Sequence, residues 1–238
     1  GEQGHVVAHN EFRDVFAYVA ANQPSRYNSA TGGSVTTVED YNGTGQTWRV
    51  HTFTSSGTFT VTSTGNPWRV LLAAQGGNSD TNFGSGGGHT GGGAGGLLTD
   101  DSASLPTGAY AVTLGTGYDG RKSKDSTFHT WKAIGGGQGG ASASYPPGNG
   151  GSGGGGYGGA DGGKGTPGQG YAGADGYAGH GGAGGGAGGN AGVSLNYYKP
   201  GPGVSSDITG TAVEYCRGGD HNTTADSGKP GWGNRGYP

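Results

Sequence analysis

The sequence predicts a mainly β fold: a short N-terminal helix, a β-sandwich, and an appended bundle of polyglycine-II helices. Three observations predict it. Glycine supplies 62 of the 238 residues and hydrophobic residues only 29%, against ~45–50% in ordinary globular domains, so a conventional apolar core cannot fill most of the volume. Short alternating apolar and polar runs, separated by turn residues, occupy positions 34–134, as half-buried strands do. From Gly150 onward glycine recurs at every third position in two unbroken runs.

The helix comes first. Over 5–21 the residues Ala8, Phe12, Val15 and Val19 fall at alternating four- and three-residue steps, Phe16 widens the stripe, and Asn22 with Pro24 ends it. A helix of ~17 residues is marginal alone. The stripe therefore predicts an oligomerisation seam, with packing on the chain's own sheet as the alternative.

The strands follow. Ser34–Tyr41 and Thr47–Phe53 are rich in Thr, Val and aromatic residues, and Thr58–Thr62 places Phe59 and Val61 on one face beyond a Ser55-Ser56-Gly57 turn. Gly65-Asn66-Pro67 turns into Trp68–Ala74. Beyond a glycine-rich excursion at 84–96 come Leu97–Thr99, Ala109–Leu114, with Tyr110, Val112 and Leu114 on one face, and Thr127–Ile134. Asp100-Asp101 reads as a turn after a strand. Many short strands at this spacing predict a sandwich over 31–140, between a connector at 1–30 and a glycine-rich bundle with a tail at 141–238.

The bundle rests on phase. One run is Gly150, Gly153, Gly156, Gly159, Gly162, Gly165 and Gly168; after a slip of one the second is Gly170, Gly173, Gly176, Gly179, Gly182, Gly185 and Gly188. A flexible linker has no reason to keep phase. Collagen also repeats in threes but needs ~15–20% proline, and between Gly150 and Gly188 the only proline is Pro167. Polyglycine-II helices, three residues per turn and without internal hydrogen bonds, fit better. Each side lacking a Cβ admits a neighbouring backbone, so main-chain groups pair between helices.

Two near copies stand inside this tract: Tyr157-x-Gly-Ala-Asp161 and Tyr171-x-Gly-Ala-Asp175. With Tyr177 and His180 they punctuate otherwise bare glycine, and tyrosine offers large, rigid contact area at low entropic cost. The other reading of them is as turn caps and end shields. A second polar and aromatic cluster comprises Asp220, His221, Trp232 and Arg235.

Several chemistries are excluded. The net charge of −3 argues against nucleic acid, which needs a basic patch. No apolar run approaches the ~18 residues of a membrane span. The absence of Met and of a secretory signal predicts a section of a longer protein. Cys216 has no intrachain partner, and no CxxC pair is present. His5 and His9 have zinc-ligand spacing, but Val6 stands where a metalloprotease needs glutamate. There is no Gly-x-Ser-x-Gly elbow, and Gly-x-Gly-x-x-Gly matches carry no information in so glycine-rich a chain. The expectation is a protein that is not an enzyme and has no metal and no cofactor.

His51-Thr-Phe-Thr-Ser-Ser-Gly-Thr-Phe-Thr-Val61, then Trp68-Arg-Val-Leu-Leu72 running into glycine, resembles the glycine-rich domain of bacteriophage minor tail and receptor-binding tail proteins, where such a hairpin precedes a polyglycine excursion. Gly92–Leu98, Gly108–Gly115, Ser126–Gly137 and Gly201–Tyr215 resemble its later elements, and Gly4–Asn10 resembles the preceding helix in actinobacterial phages. The closing apolar strand of that family is missing after Arg217. The resemblance implies a place at the distal tail of the virion, a homotrimer among other tail proteins, and a host cell-surface receptor (glycan, glycolipid or protein). Tyr157, Asp161, Tyr171, Asp175, Tyr177 and His180 are then the expected receptor-binding residues, with Trp232 and its cluster as second choice. Two alternatives stand beside this: a stiff tail spacer with no receptor site, and an ice-binding polyglycine-II protein. The second needs a flat face of small residues, which these tyrosines and aspartates interrupt.

Overall fold

The computed structural model describes residues 28–40, 43, 45–79, 90–142, 144–177, 179–194, 197–220 and 231–233. The expected helix with Ala8, Phe12, Val15 and Val19, and the His5/His9 pair, lie outside them. Every regular element described is a strand: β1 (Ser29–Thr31), β2 (Ser34–Val38), β3 (Trp48–Thr52), β4 (Gly57–Ser63), β5 (Trp68–Ala73), β6 (Leu97–Ala103), β7 (Gly108–Thr113) and β8 (Tyr118–Asp119). After them come β9 (Lys122–Ser123), β10 (Ser126–Phe128), β11 (Trp131–Ala133), β12 (Gly192–Ser194), β13 (Tyr197–Lys199), β14 (Val204–Ser206) and β15 (Val213–Tyr215). The protein is mainly β, built as one five-stranded antiparallel sheet in the order β1-β4-β7-β10-β11 and several two-stranded antiparallel sheets.

The expected hairpin across Ser55–Gly57 does not form. β3 pairs with β2, whereas β4 pairs with β1 and β7. Two paths bend together: β1–β2 at Gly32 and Gly33, which have φ of 110° and 65°, and β3–β4 at residues 53–56. A Cβ on Gly32 would overlap the Thr58 carbonyl, so only glycine lets the first path turn there. Phe53 fills the corner, edge-on to Phe59 with centroids 6.4 Å apart.

Thr127–Ile134 is likewise not one strand. His129 takes φ of 51°, and the chain folds back so that Phe128 faces Trp131 across β10 and β11. Asp100-Asp101 is not a turn but lies within β6. There the register shifts between Trp68↔Ala103 and Val70↔Asp100, a bulge that leaves Asp101 to accept a 2.7 Å hydrogen bond from Arg69 Nε.

Alternation elsewhere forms as the sequence implies. Phe59, Val61 and Val112 from the five-stranded sheet are buried with Phe128, Ala133, Leu72 and Leu105 in one core. Trp68, Val70 and Leu98 of β5 and β6 pack against it. The opposite side of the same ribbon, Leu71, Ala73 and Leu97, meets Tyr215 and Cys216 in a second core. Burial of both faces explains why Val70–Ala74 reads as a continuous apolar run and not an alternating one.

Beside these sheets lies a region without side-chain core. Extended segments of no regular class are joined laterally by backbone hydrogen bonds, and residues 150–156 run through its centre with six neighbouring segments. Gly153 and Gly156 donate to Tyr171 and Ala174; Ser152 and Gly155 donate to Ala94 and Gly91. Gly137 and Gly140 donate to Ser152 and Gly155, while Gly185 and Gly182 donate to Gly153 and Gly156. Gly163 donates to Gly154, which donates to Gly148. On each of the first four sides the bonds recur three residues apart.

Eleven of the fourteen period-three glycines face another segment so closely that a Cβ would overlap its atoms. The other three, Gly159, Gly168 and Gly179, have open space and φ of 90°, 77° and 84°. They sit at tight turns. The phase slip between Gly168 and Gly170 is itself a turn, with Gln169 N and Gly170 N both donating to Thr166 O. Segments on either side of residue 140 interleave in the same lattice. Each bond is worth only ~0.5–1.5 kcal/mol net, while ordering a residue costs ~1–2 kcal/mol, so the lattice holds by making its bonds in bulk.

Candidate functional site

The lattice has two unlike ends. At one, the Thr166–Gln169 turn abuts the sheets: Leu97 N donates to Gln169 O, and the Gln169 amide bonds Ile134 N and Lys132 O. The other end lies seven residues farther along from Gly150, roughly 20 Å for an extended chain rising ~3.1 Å per residue. Three tight turns gather there, and a tyrosine stands at a hydrogen-bonded corner of each.

Tyr157 opens the first turn, its carbonyl accepting from Ala160 N at 3.1 Å, with Gly158 and Gly159 at φ of 63° and 90°. That is the backbone of a primed turn, which glycine alone enters cheaply at both central positions. Tyr177 opens the second; Tyr177 and His180 exchange backbone hydrogen bonds at 3.2 and 2.8 Å. The two turns touch, since Gly158 N lies 3.5 Å from His180 O. Tyr145 closes the third, donating from its amide to Ser142 O at 3.0 Å. This turn is adjacent because Gly140, two residues before it, donates to Gly155 O. The chain also leaves the described residues after Ser79 and re-enters at Thr90 beside this end, where Asn78 O and Thr90 Oγ1 bond Gly139 N and Gly140 O.

Of the expected residues, the structure brings Tyr157, Tyr177 and His180 together and sets Asp161 next to the first turn. Tyr177 is 73% exposed, and Tyr157 is half-buried. Tyr171 is not with them: its amide donates to Gly186 O and its carbonyl accepts from Gly153 N, placing it on the flank of the lattice. The near copies are therefore not equivalent, and Tyr177 is the counterpart of Tyr157. The Asp175 carboxylate accepts from Gly162 N, a bond that fastens the lattice. Trp232 is elsewhere again, half-buried under the Arg217 guanidinium, 5.4 Å from the ring centroid, with Nε1 directed to Glu214 O.

Tyr145 escaped the sequence reading. It is 59% exposed, and Arg121 braces it, with the guanidinium 5.9 Å from the ring centroid and Nη2 donating to Gly139 O and Tyr145 O. Its signal is its position before Pro146-Pro147, at the end of the Gly135–Gly140 run.

Chemically the end offers aromatic faces, an imidazole and turn peptide groups. It is suited to covering an apolar surface and hydrogen-bonding around it. Among the described residues no group of three or more His, Cys, Asp or Glu is placed to hold a metal ion. No helix among them is long and apolar enough to cross a membrane. No family model matches the chain, and no similar protein was found among curated sequences or solved structures.

Proposed function

We propose that this chain is a non-catalytic adhesin, the receptor-binding end of a bacteriophage tail protein that recognises a host cell-envelope component. The observation that carries the reading is the gathering of Tyr145, Tyr157, Tyr177 and His180 on three tight turns at the lattice end opposite the Thr166–Gln169 turn. A surface of rigid aromatic side chains on short turns, raised on a stiff stem, has the physical character of a recognition face. In architecture we read the chain as a small β-sandwich carrying a polyglycine-II bundle. The three-residue recurrence of lateral hydrogen bonds and the six neighbours of residues 150–156 support the bundle.

As a tail component the chain works as a homotrimer, joined through the seam of Ala8, Phe12, Val15 and Val19. The deciding experiment adds purified protein to host envelope fractions and to a phage adsorption assay. Saturable binding with competition for adsorption is expected; a protein that neither binds envelopes nor competes is a spacer. Light scattering on Phe12→Asp tests the seam, and an unchanged mass would refute it.

A further inference from the structure

On the flank of the lattice, near the β8–β9 hairpin, lies a cleft of about 340 Å³ lined by Lys122, Ile134, Asn149, Lys164, Thr166 and Pro167. Its size is at the lower limit of ~300–1,000 Å³ for small-molecule sites, room for one sugar-sized unit. Its charge is one-sided. Two lysines and, among the described residues, no carboxylate line it, in a chain whose net charge is −3.

The acid beside Lys122 is already engaged. Asp125 lies between Lys122 Nζ at 2.6 Å and Lys132 Nζ at 3.1 Å and also accepts from Gly135 N. Of the two lysines that line the cleft, Lys122 is thus paired, and the positive remainder is Lys164. Lys164 is exposed and forms no ion pair among the described residues. Asn149 Oδ1 accepts from Lys164 N at 2.7 Å, which fixes the amide and leaves its NH2 as a further donor. Thr166 Oγ1 donates to Gly150 O and keeps this wall in place.

We infer that this cleft binds the anionic substituent, a phosphate or a carboxylate, of a polyhydroxylated ligand. Lys122, Lys164 and the Asn149 amide line one small volume, and charge-assisted hydrogen bonds are about twice as strong as neutral ones. The inference stands independently of the adhesin reading, because it concerns a different face and different residues.

The test is calorimetric titration of the whole chain at low ionic strength. The probes are glycerol 1-phosphate and glucuronate, with glycerol and glucose as neutral controls. Binding of at least one charged probe and of neither neutral one is expected, and the stronger charged probe identifies the substituent. Lys164→Gln weakens that binding about tenfold, the loss of one charge-assisted bond. Lys124→Gln, an exposed lysine outside the cleft, leaves it unchanged. Three results would overturn the site: neither charged probe binds, a neutral probe binds equally well, or Lys124→Gln costs as much as Lys164→Gln. Melting curves of both variants confirm that fold is retained.

Discussion

Asp175 accepts a 2.7 Å hydrogen bond from the amide of Gly162, so the second of two near-identical sequence segments fastens the first. Immediately beside that bond a Cβ on Gly162 would overlap the Gly173 carbonyl. The lattice therefore tolerates no branched side chain at this point. Gly162→Val is expected to lose at least ~3 kcal/mol, the upper range of overpacking, because backbone cannot move aside as a side chain can. Thermal melting of the purified variant measures it. An unchanged midpoint would mean the tract is a linker.

Tyrosines at the turn end and on the flank separate recognition from scaffolding. Tyr177→Ala and Tyr145→Ala should reduce binding to host envelopes at least about tenfold, ~1.4 kcal/mol, without lowering the melting temperature. Tyr171→Ala, on the flank, should leave binding within about twofold. Equal losses at all three positions, or losses at Tyr171 alone, would place the face elsewhere.

Ser152 sits at the centre of the lattice, fully buried, and its hydroxyl has no hydrogen-bond partner among the described residues. An unsatisfied buried donor is costly, about 1–3 kcal/mol. Ser152→Ala keeps the Cβ and removes the hydroxyl, so the variant should be as stable as the parent or up to ~1 kcal/mol more stable. Chemical denaturation distinguishes this from a loss, which would reveal a partner for the hydroxyl.

Asp125 gives the fold an acid limit. Burial pulls its carboxyl upward, but hydrogen bonds from Lys122, Gly135 N and Lys132, with the charge of Lys122, outweigh that and hold it below the usual carboxylate range. A depressed pKa contributes stability that is present above the unfolded value of ~3.9 and lost as pH falls through the folded one. The melting temperature should decline below about pH 4. Asp125→Asn should lie lower at neutral pH and decline less, and parallel curves would contradict this assignment.

Cys216 is fully buried, and burial pushes its thiol up to about 12. Since the thiolate is the reactive form, alkylating reagents at pH 8 should leave the native protein unmodified and label it on unfolding. A Cβ on Gly231 would overlap Cys216 Sγ, so Gly231→Ala should make the thiol accessible without denaturant. Mass spectrometry reads both results.

Much of the fold is legible because its constraints act one residue at a time. A backbone approaching within Cβ distance demands glycine at that position and no other, so the lattice writes its period directly into the chain. The alternation at Phe59/Val61 and Tyr110/Val112 is readable for the same reason. What stayed hidden depends on neighbours distant in sequence. Tyr157 and Tyr171 share a motif, yet one opens a turn and the other faces Gly153 and Gly186, because height in the lattice is set by lateral bonds. Glycine also serves both close approach and positive φ, so Gly159 and Gly162 look alike until their surroundings are seen. His129 breaks a strand without the usual turn chemistry. Arg69 pairs with Asp101 and with Asp207, the latter 138 positions away, and spacing alone does not reveal such an ion pair.

Residues 231–233 return to the heart of the molecule. Gly95 N donates to Gly231 O, Gly233 N donates to Arg217 O, and Gly76 lies against the Trp232 carbonyl. Gly95 and Gly76 are separated from these partners by well over a hundred positions in the sequence. Their cost is one of time: the loops joining them must close before their bonds reward closure, and non-local pairing of this kind folds slowly. During synthesis, the strip of lattice around Gly76 and Gly95 waits with its backbone groups turned to water until residue 233 has emerged from the ribosome. The order in which the chain is made is therefore not the order in which it can be finished.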